Sequence, residues 1–126
     1  MNVMLSIKPE FVKEIIEGKK LFEYRKTIFK KTNIDSVVIY ATKPYGKVVG
    51  EFLIDHIIEE EPTELWNLTS EFSGITKNFI NEYFEGRTVG YAIKIKEYIP
   101  YEEPLDLSFF TNIKTAPQSF CYLQQS

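Results

Sequence analysis

The stretch SVVIYAT at residues 36 to 42 is apolar or β-branched at odd and even positions alike. Successive side chains of a strand point to opposite faces, so this one has no face to give to water and must be covered on both sides. KPYGK follows as turn chemistry, with Pro44 and Gly46 available for the bend. VVGEFLI at 48 to 54 then returns as the second arm of a hairpin, and Gly50 inside it marks a bulge or a close backbone approach. Glu51 shares its parity with Val49 and Leu53. It either points inward, paired with Lys20 or Arg25, or a bulge at Gly50 turns it to water.

Other elements arrange themselves around this hairpin. VMLSI at 3 to 7 reads as a short strand. Pro9 suits a first helical position, and Phe11, Val12, Ile15 and Ile16 make an apolar stripe at helical spacing, closed by Gly18 as a left-handed cap. That helix is about ten residues long, and a strand over roughly 20 to 26 follows it. After the acidic run Glu59 to Glu61, Pro62 opens a helix with Leu65, Trp66, Thr69 and Phe72 inward, broken by Ser73 and Gly74. Thr76 is the N-cap of the next helix, which ends at Gly86, and Ile75 can staple onto Ile80. Residues 89 to 97 alternate as a half-exposed strand, Pro100 and Pro104 punctuate a loop, PLDLSFF packs as a turn or an edge, and TNIKTAPQ is irregular. SFCYL at 119 to 123 supplies a last strand. The order β-α-β-β-β-α-α-β-β predicts one α+β domain over 1–126, and six strands of this length favour a small β-barrel or a strongly curled sheet with flanking helices.

A single cysteine, Cys121, excludes an internal disulfide and makes a reducing, cytoplasmic setting the default expectation. MNVMLSIKP shows no basic region ahead of a long apolar run, so no signal peptide is expected, and no segment approaches the roughly 18 apolar residues of a membrane span. His56 alone cannot build a histidine metal site, and Cys121 stands between aromatics as a small core residue, so neither metal nor cofactor is expected. No GxGxxG or Walker-type loop supports dinucleotide or nucleotide binding of those kinds.

The net charge of −3 hides an asymmetry. Residues 1 to 50 carry ten Lys or Arg against five acids, and residues 51 to 126 carry five against thirteen. The basic excess gathers at Lys19, Lys20, Arg25, Lys26, Lys30 and Lys31, where it can draw an anion to one face of an acidic protein. Within it, Lys20, Glu23 and Arg25 form the pattern G-x-K-x-x-E-x-R from Gly18, straight after the first helix, with Lys8 near that helix's N-terminus. On a strand Glu23 and Arg25 share a face and Phe22 and Tyr24 share the other. Glu23 and Arg25 either form a solvated surface pair or line a cleft in which one carboxylate is outweighed by cations.

LSIKPEFVKEIIEGKKLFEYRK at 5 to 26, VVIYAT at 37 to 42, GEF at 50 to 52, VGYAIKI at 89 to 95 and PQSFCYL at 117 to 123 together resemble the ASCH family, small domains related to PUA RNA-binding modules. They are similar to its bacterial and archaeal subgroup of PUA-like transcriptional regulators. The resemblance implies a PUA-like β-barrel with packed helices and a cleft rimmed by Lys20, Glu23 and Arg25 that takes RNA or a nucleotide-like ligand. In that setting Arg25 matches phosphate oxygens or a base edge, Lys8 and Lys20 add point charges, and Glu23 orients a cation or accepts from a base amino group. Tyr40, and Phe22 or Tyr24, offer stacking faces, and Glu51 joins the ligand-binding set.

The leading expectation is therefore a non-catalytic RNA- or modified-nucleotide-binding module. The alternative is a small hydrolase, either of the ASCH amidohydrolase type acting on N4-acetylcytidine or a ribonuclease, with Lys20 activating the nucleophile and Glu23 or Glu71 as acid-base partner. Glu23 stands where that amidohydrolase type has a threonine, and Glu71 is only an approximate counterpart of its glutamate, which weakens that version. An adaptor that meets a protein partner through the acidic half is a third expectation.

Overall fold

The computed structural model describes residues 1–110, 116–118 and 120–123. In chain order it contains β1 (Asn2–Ile7), α1 (Pro9–Ile16), β2 (Phe22–Arg25), β3 (Ser36–Ala41), β4 (Lys47–Glu60), α2 (Pro62–Thr69), α3 (Lys77–Tyr83), β5 (Gly90–Leu105) and β6 (Phe120–Leu123). One-turn 3-10 helices cover Ser70–Phe72 and Leu107–Phe109. All six residues of β3 are buried, as its two-sided apolar pattern requires.

The strands form one sheet in the order β2-β5-β4-β3-β1-β6. β1 and β3 run parallel, Val3 opposite Val37, and the long crossover this demands contains α1 and β2. The remaining neighbours are antiparallel. The sheet curls until the chain beyond one edge strand meets the other edge. Phe29, just after β2, packs edge-on against Phe120 of β6 at 5.9 Å, and the backbone N–H groups of Lys30 and Lys31 donate to the Tyr122 hydroxyl at 2.9 and 3.2 Å. Among the described residues the result is a curled half-barrel with three α-helices, the mixed α+β architecture expected of a PUA-like barrel.

Both faces of the sheet carry core. Val3, Leu5, Ile7, Val37, Ile39, Phe52, Ile93 and Ile95 pack with Val12 and Ile15 of α1. Phe52 is fully buried there, and truncating it to Ala costs about 3–5 kcal/mol. Met4, Val38, Tyr40, Val48 and Leu123 fill the other face of the central strands. A third cluster joins Phe22, Tyr24 and Ala92 to Leu65 of α2 and to Ile80 and Phe84 near α3.

Several boundaries differ from the sequence expectation. α1 has eight residues rather than about ten, because Gly18, at φ +77°, already lies in the turn, and Ile16 is left exposed. Phe72 is exposed too, since α2 stops at Thr69 and the 3-10 turn changes the period. β4 continues to Glu60, with Glu59 and Glu60 paired to Tyr91 and Gly90. β5 runs through both prolines expected in a loop. β2 pairs only with residues 91–94, so the later half of β5 is an edge, where a missing N–H is tolerated. In its earlier half Ile93 and Ile95 are buried and Lys96 is exposed as the alternation expects, but Ala92 on the outward side is buried too, because α2 and α3 cover the second face there. Gly50 answers to both of its expected roles: the β3–β4 register shifts beside it, and an added Cβ would lie 2.7 Å from the Ile99 carbonyl oxygen. Of TNIKTAPQ, residues 111–115 lie outside the described residues. Among the described residues no helix is long and apolar enough to cross a membrane.

Candidate functional site

Where β2 leaves α1, a cleft of about 330 Å³ opens between the N-terminal end of α1, β2 and α3. Lys20 forms its floor. The backbone N–H groups of Lys19 and Lys20 both donate to the Glu14 carbonyl, which folds the chain back under α1 after Gly18. The Lys20 side chain is 1% exposed. Its Nζ donates to the Ser73 carbonyl at 3.1 Å, lies 3.8 Å from Glu23 Oε1, and sits over the rings of Tyr24 at 4.9 Å and Phe11 at 5.5 Å. Burial pushes the Lys20 ammonium below its ordinary pKa of 10.5, an effect opposed by Glu23 and then Glu14.

Glu23 and Arg25 do share a face of β2. Glu23 is 6% exposed, and its Oε2 lies 3.5 Å from Arg25 Nη1. The pair is thus formed and also lines the cleft, which removes the reading of a solvated surface salt bridge. Three cations, Lys8, Lys20 and Arg25, meet one carboxylate among the lining residues. Phe22 and Tyr24 point to the helix-covered face as alternation requires. Leu21 departs from the strand pattern and packs with them, because it precedes β2 and is held by hydrogen bonds to Phe72 and Ile95.

Tyr24 forms the boundary between cleft and core. Thr69 Oγ1 donates to the Leu65 carbonyl at 2.7 Å, so in its 2.7 Å contact with Tyr24 it accepts and the phenol donates. Burial raises the Tyr24 phenol to about 12. Tyr83, on the opposite wall, is also raised by burial and donates to the Tyr24 carbonyl at 3.3 Å.

Of the residues singled out from sequence, Lys8, Lys20, Glu23 and Arg25 are brought together. Tyr40, Glu51 and Glu71 do not line this cleft. Tyr40 is buried on β3 among Met4, Val48 and Leu123, where it serves packing. Glu51 is half-buried and accepts from Ser36 Oγ at 3.2 Å, so its partner is a hydroxyl rather than Lys20 or Arg25. Glu71 is exposed on the 3-10 turn, so the amidohydrolase-type set of Lys20, Glu23 and Glu71 is not assembled. Sequence reasoning missed Phe11, Phe79 and Tyr83, which form the aromatic wall. The four-residue spacing of Phe79 and Tyr83 was a usable signal, overshadowed by Ile80 as the obvious core position of the same helix. Among the described residues no cluster of three or more His, Cys, Asp or Glu is placed to hold a metal.

The family model of the ASCH domain matches residues 5–104. The chain is 28% identical over 127 residues to a Zymomonas mobilis protein named as an ASCH domain-containing ribonuclease, covering 98% of this chain and 85% of that one. The crystal structure of ASCH from Zymomonas mobilis superposes with a TM-score of 0.88 at 28% identity, over 98% of this chain and 88% of the other. A Ureaplasma parvum protein named large ribosomal subunit protein uL22 is 30% identical over 125 residues, but the chain spans only 39% of its length.

Proposed function

The chain belongs to the ASCH domain family, and from that premise we propose that it acts on RNA in the cytoplasm, holding a single-stranded segment in the cleft at Lys20, Glu23 and Arg25. The observation that carries this is the charge balance of the cleft, three cations against one carboxylate in a chain that is acidic as a whole. A phosphodiester strand neutralises that excess, and the low-dielectric floor around Lys20 strengthens the attraction. Arg25 presents a planar fork to phosphate oxygens, and Lys8 adds an exposed charge at the mouth. The test is the affinity of a labelled single-stranded oligoribonucleotide as a function of salt. Affinity should fall steeply as salt rises, and Arg25→Ala should weaken binding and flatten the slope by about one ion. Binding insensitive to both would refute the proposal.

Cleavage of the bound strand is a second reading, favoured by the ribonuclease name of the Zymomonas mobilis relative, which matches over most of both chains. The cleft residues suit transesterification. Glu23 takes the proton of a ribose 2′-hydroxyl, the 2′-oxygen bonds to the adjacent phosphorus, and the bond to the 5′-oxygen breaks as Lys20 protonates it. Arg25 stabilises charge gathering on the non-bridging oxygens. The products are a 2′,3′-cyclic phosphate and a 5′-hydroxyl. A strand with 2′-O-methyl ribose should bind and resist cleavage; its cleavage would overturn this reading and leave binding intact.

A further inference from the structure

The wall facing β2 is aromatic, and its geometry extends the RNA reading on which this inference rests. Phe79 and Tyr83 stand one helical turn apart on α3, with rings nearly parallel at 14° and centroids 6.2 Å apart. Both are half-buried and line the cleft. Phe11 packs edge-on against Phe79 at 5.2 Å, and Phe84 packs edge-on against Tyr83 at 4.9 Å. Each ring also carries a lysine over its face. Lys8 Nζ lies 5.5 Å from the Phe79 centroid, and Lys26 Nζ lies 4.8 Å from that of Tyr83. Both lysines are exposed, and Arg87 stands beside the second station, donating to the Lys26 carbonyl at 2.8 Å.

We infer that Phe79 and Tyr83 are seats for two unpaired bases of the bound strand, and that Lys8 and Lys26 are displaceable covers which turn onto its phosphates when the bases arrive. A base stacked on an aromatic ring is held more strongly than a solvated ammonium over the same ring, so the exchange is favourable. The displaced ammonium groups then stay within reach of the backbone that the bases carry with them, and no charge is lost from the site. Bases paired in a duplex are already stacked inside it and cannot reach the rings. The substrate class is therefore an unpaired strand read two bases at a time, with shape rather than letter deciding the fit.

The test uses the full chain and three labelled probes of equal length, all with 2′-O-methyl ribose to block cleavage: a single strand, the same strand lacking bases, and a blunt duplex. The single strand should bind about tenfold tighter than either of the others. Phe79→Leu and Tyr83→Leu keep apolar volume, with folding checked by thermal melting, and each should weaken single-strand binding about fivefold while leaving the base-free strand unchanged. A 2-aminopurine base in the strand should lose fluorescence on binding the unaltered protein, a readout that needs no variant. Equal binding of base-bearing and base-free strands, or unquenched 2-aminopurine, would overturn the seats. If Arg25→Ala still weakened binding in that case, the RNA reading would survive without them. Failure of all three probes to bind would remove both.

Discussion

A β-carbon built on Gly74 falls 2.4 Å from Cβ and 3.0 Å from Cα of Lys20, and Gly74 itself sits at φ +69°. The loop after the 3-10 turn thus presses directly on the stem of the buried lysine, while the neighbouring Ser73 carbonyl holds its ammonium. Gly74→Ala must overcome both a left-handed backbone and a clash with Cβ and Cγ at the root of the buried Lys20 side chain, for a combined loss of about 2–4 kcal/mol. Gly18→Ala is the control, because its φ is +77° but nothing lies within 4 Å of the added carbon. It should lose only the backbone share, about 1–2 kcal/mol, and retain RNA affinity. Urea unfolding of both variants measures the difference; equal losses would show that contact with Lys20 is unimportant.

Glu23 is the carboxylate that offsets Lys20 and Arg25, at 3.8 and 3.5 Å. Glu23→Gln leaves two cations facing each other across a polar but uncharged group. Stability should fall by about 1–3 kcal/mol, short of the full loss for breaking a buried pair because the amide oxygen still accepts. RNA affinity should rise several-fold and steepen with salt, since the cleft gains positive charge. If Glu23 also takes the 2′-proton, cleavage should drop about a hundredfold or more in the same variant. Tighter binding with slower cleavage separates its electrostatic role from its chemical one; weaker binding would contradict the charge argument.

The convergence of Lys20, Glu23 and Arg25 was legible because it depends on local rules: a glycine-closed helix, then a strand on which residues two apart share a face. Likewise β3 announced its central place by having no polar face. What stayed hidden depends on distant chain. Lys20 is buried because Ser73 and Gly74, more than fifty positions away, close over it, and no local pattern encodes that contact. Tyr40 looked available for stacking, yet Met4 and Leu123 from opposite ends of the chain enclose it. The prolines of β5 misled for a related reason: whether a proline breaks a strand depends on whether a partner needs its N–H, and β2 is too short to ask.

The burial of Lys20 has a pH signature. Its folded pKa lies below the 10.5 of the free side chain, mainly through desolvation. Between those two values the unfolded chain holds the proton and the folded chain does not, so stability rises with pH across that window. At neutral pH the buried charge therefore weighs against folding. Lys20→Met, which leaves Glu23 its contact with Arg25, should fall within about 1 kcal/mol of the parent at pH 7. The parent should gain on the variant as pH approaches 10, and RNA binding by the variant should be lost at every pH. A stability difference independent of pH would mean that Lys20 is as solvated when folded as when unfolded.

Tyr24 predicts the opposite trend at higher pH. Burial raises its phenol from 10.0 to about 12, and its proton is committed to Thr69. Between those values the unfolded chain loses the proton that the folded chain keeps. The stability Tyr24 contributes is thus complete below pH 10 and is lost as pH climbs through about 12. Tyr24→Phe keeps the ring over which Lys20 sits and removes one hydrogen bond, a loss of about 1 kcal/mol at pH 7. Thr69 retains its bond to the Leu65 carbonyl, so no buried donor is orphaned. Urea midpoints at pH 7, 10, 11 and 12 should show the parent's advantage nearly complete up to about pH 10, then shrinking and reversing in sign by pH 12. Tyr101, raised to about 12 as well, titrates alike in both proteins and cancels from the difference. An advantage that survives unchanged at pH 12 would place the Tyr24 proton outside the folded cluster and undo the donor assignment to Thr69.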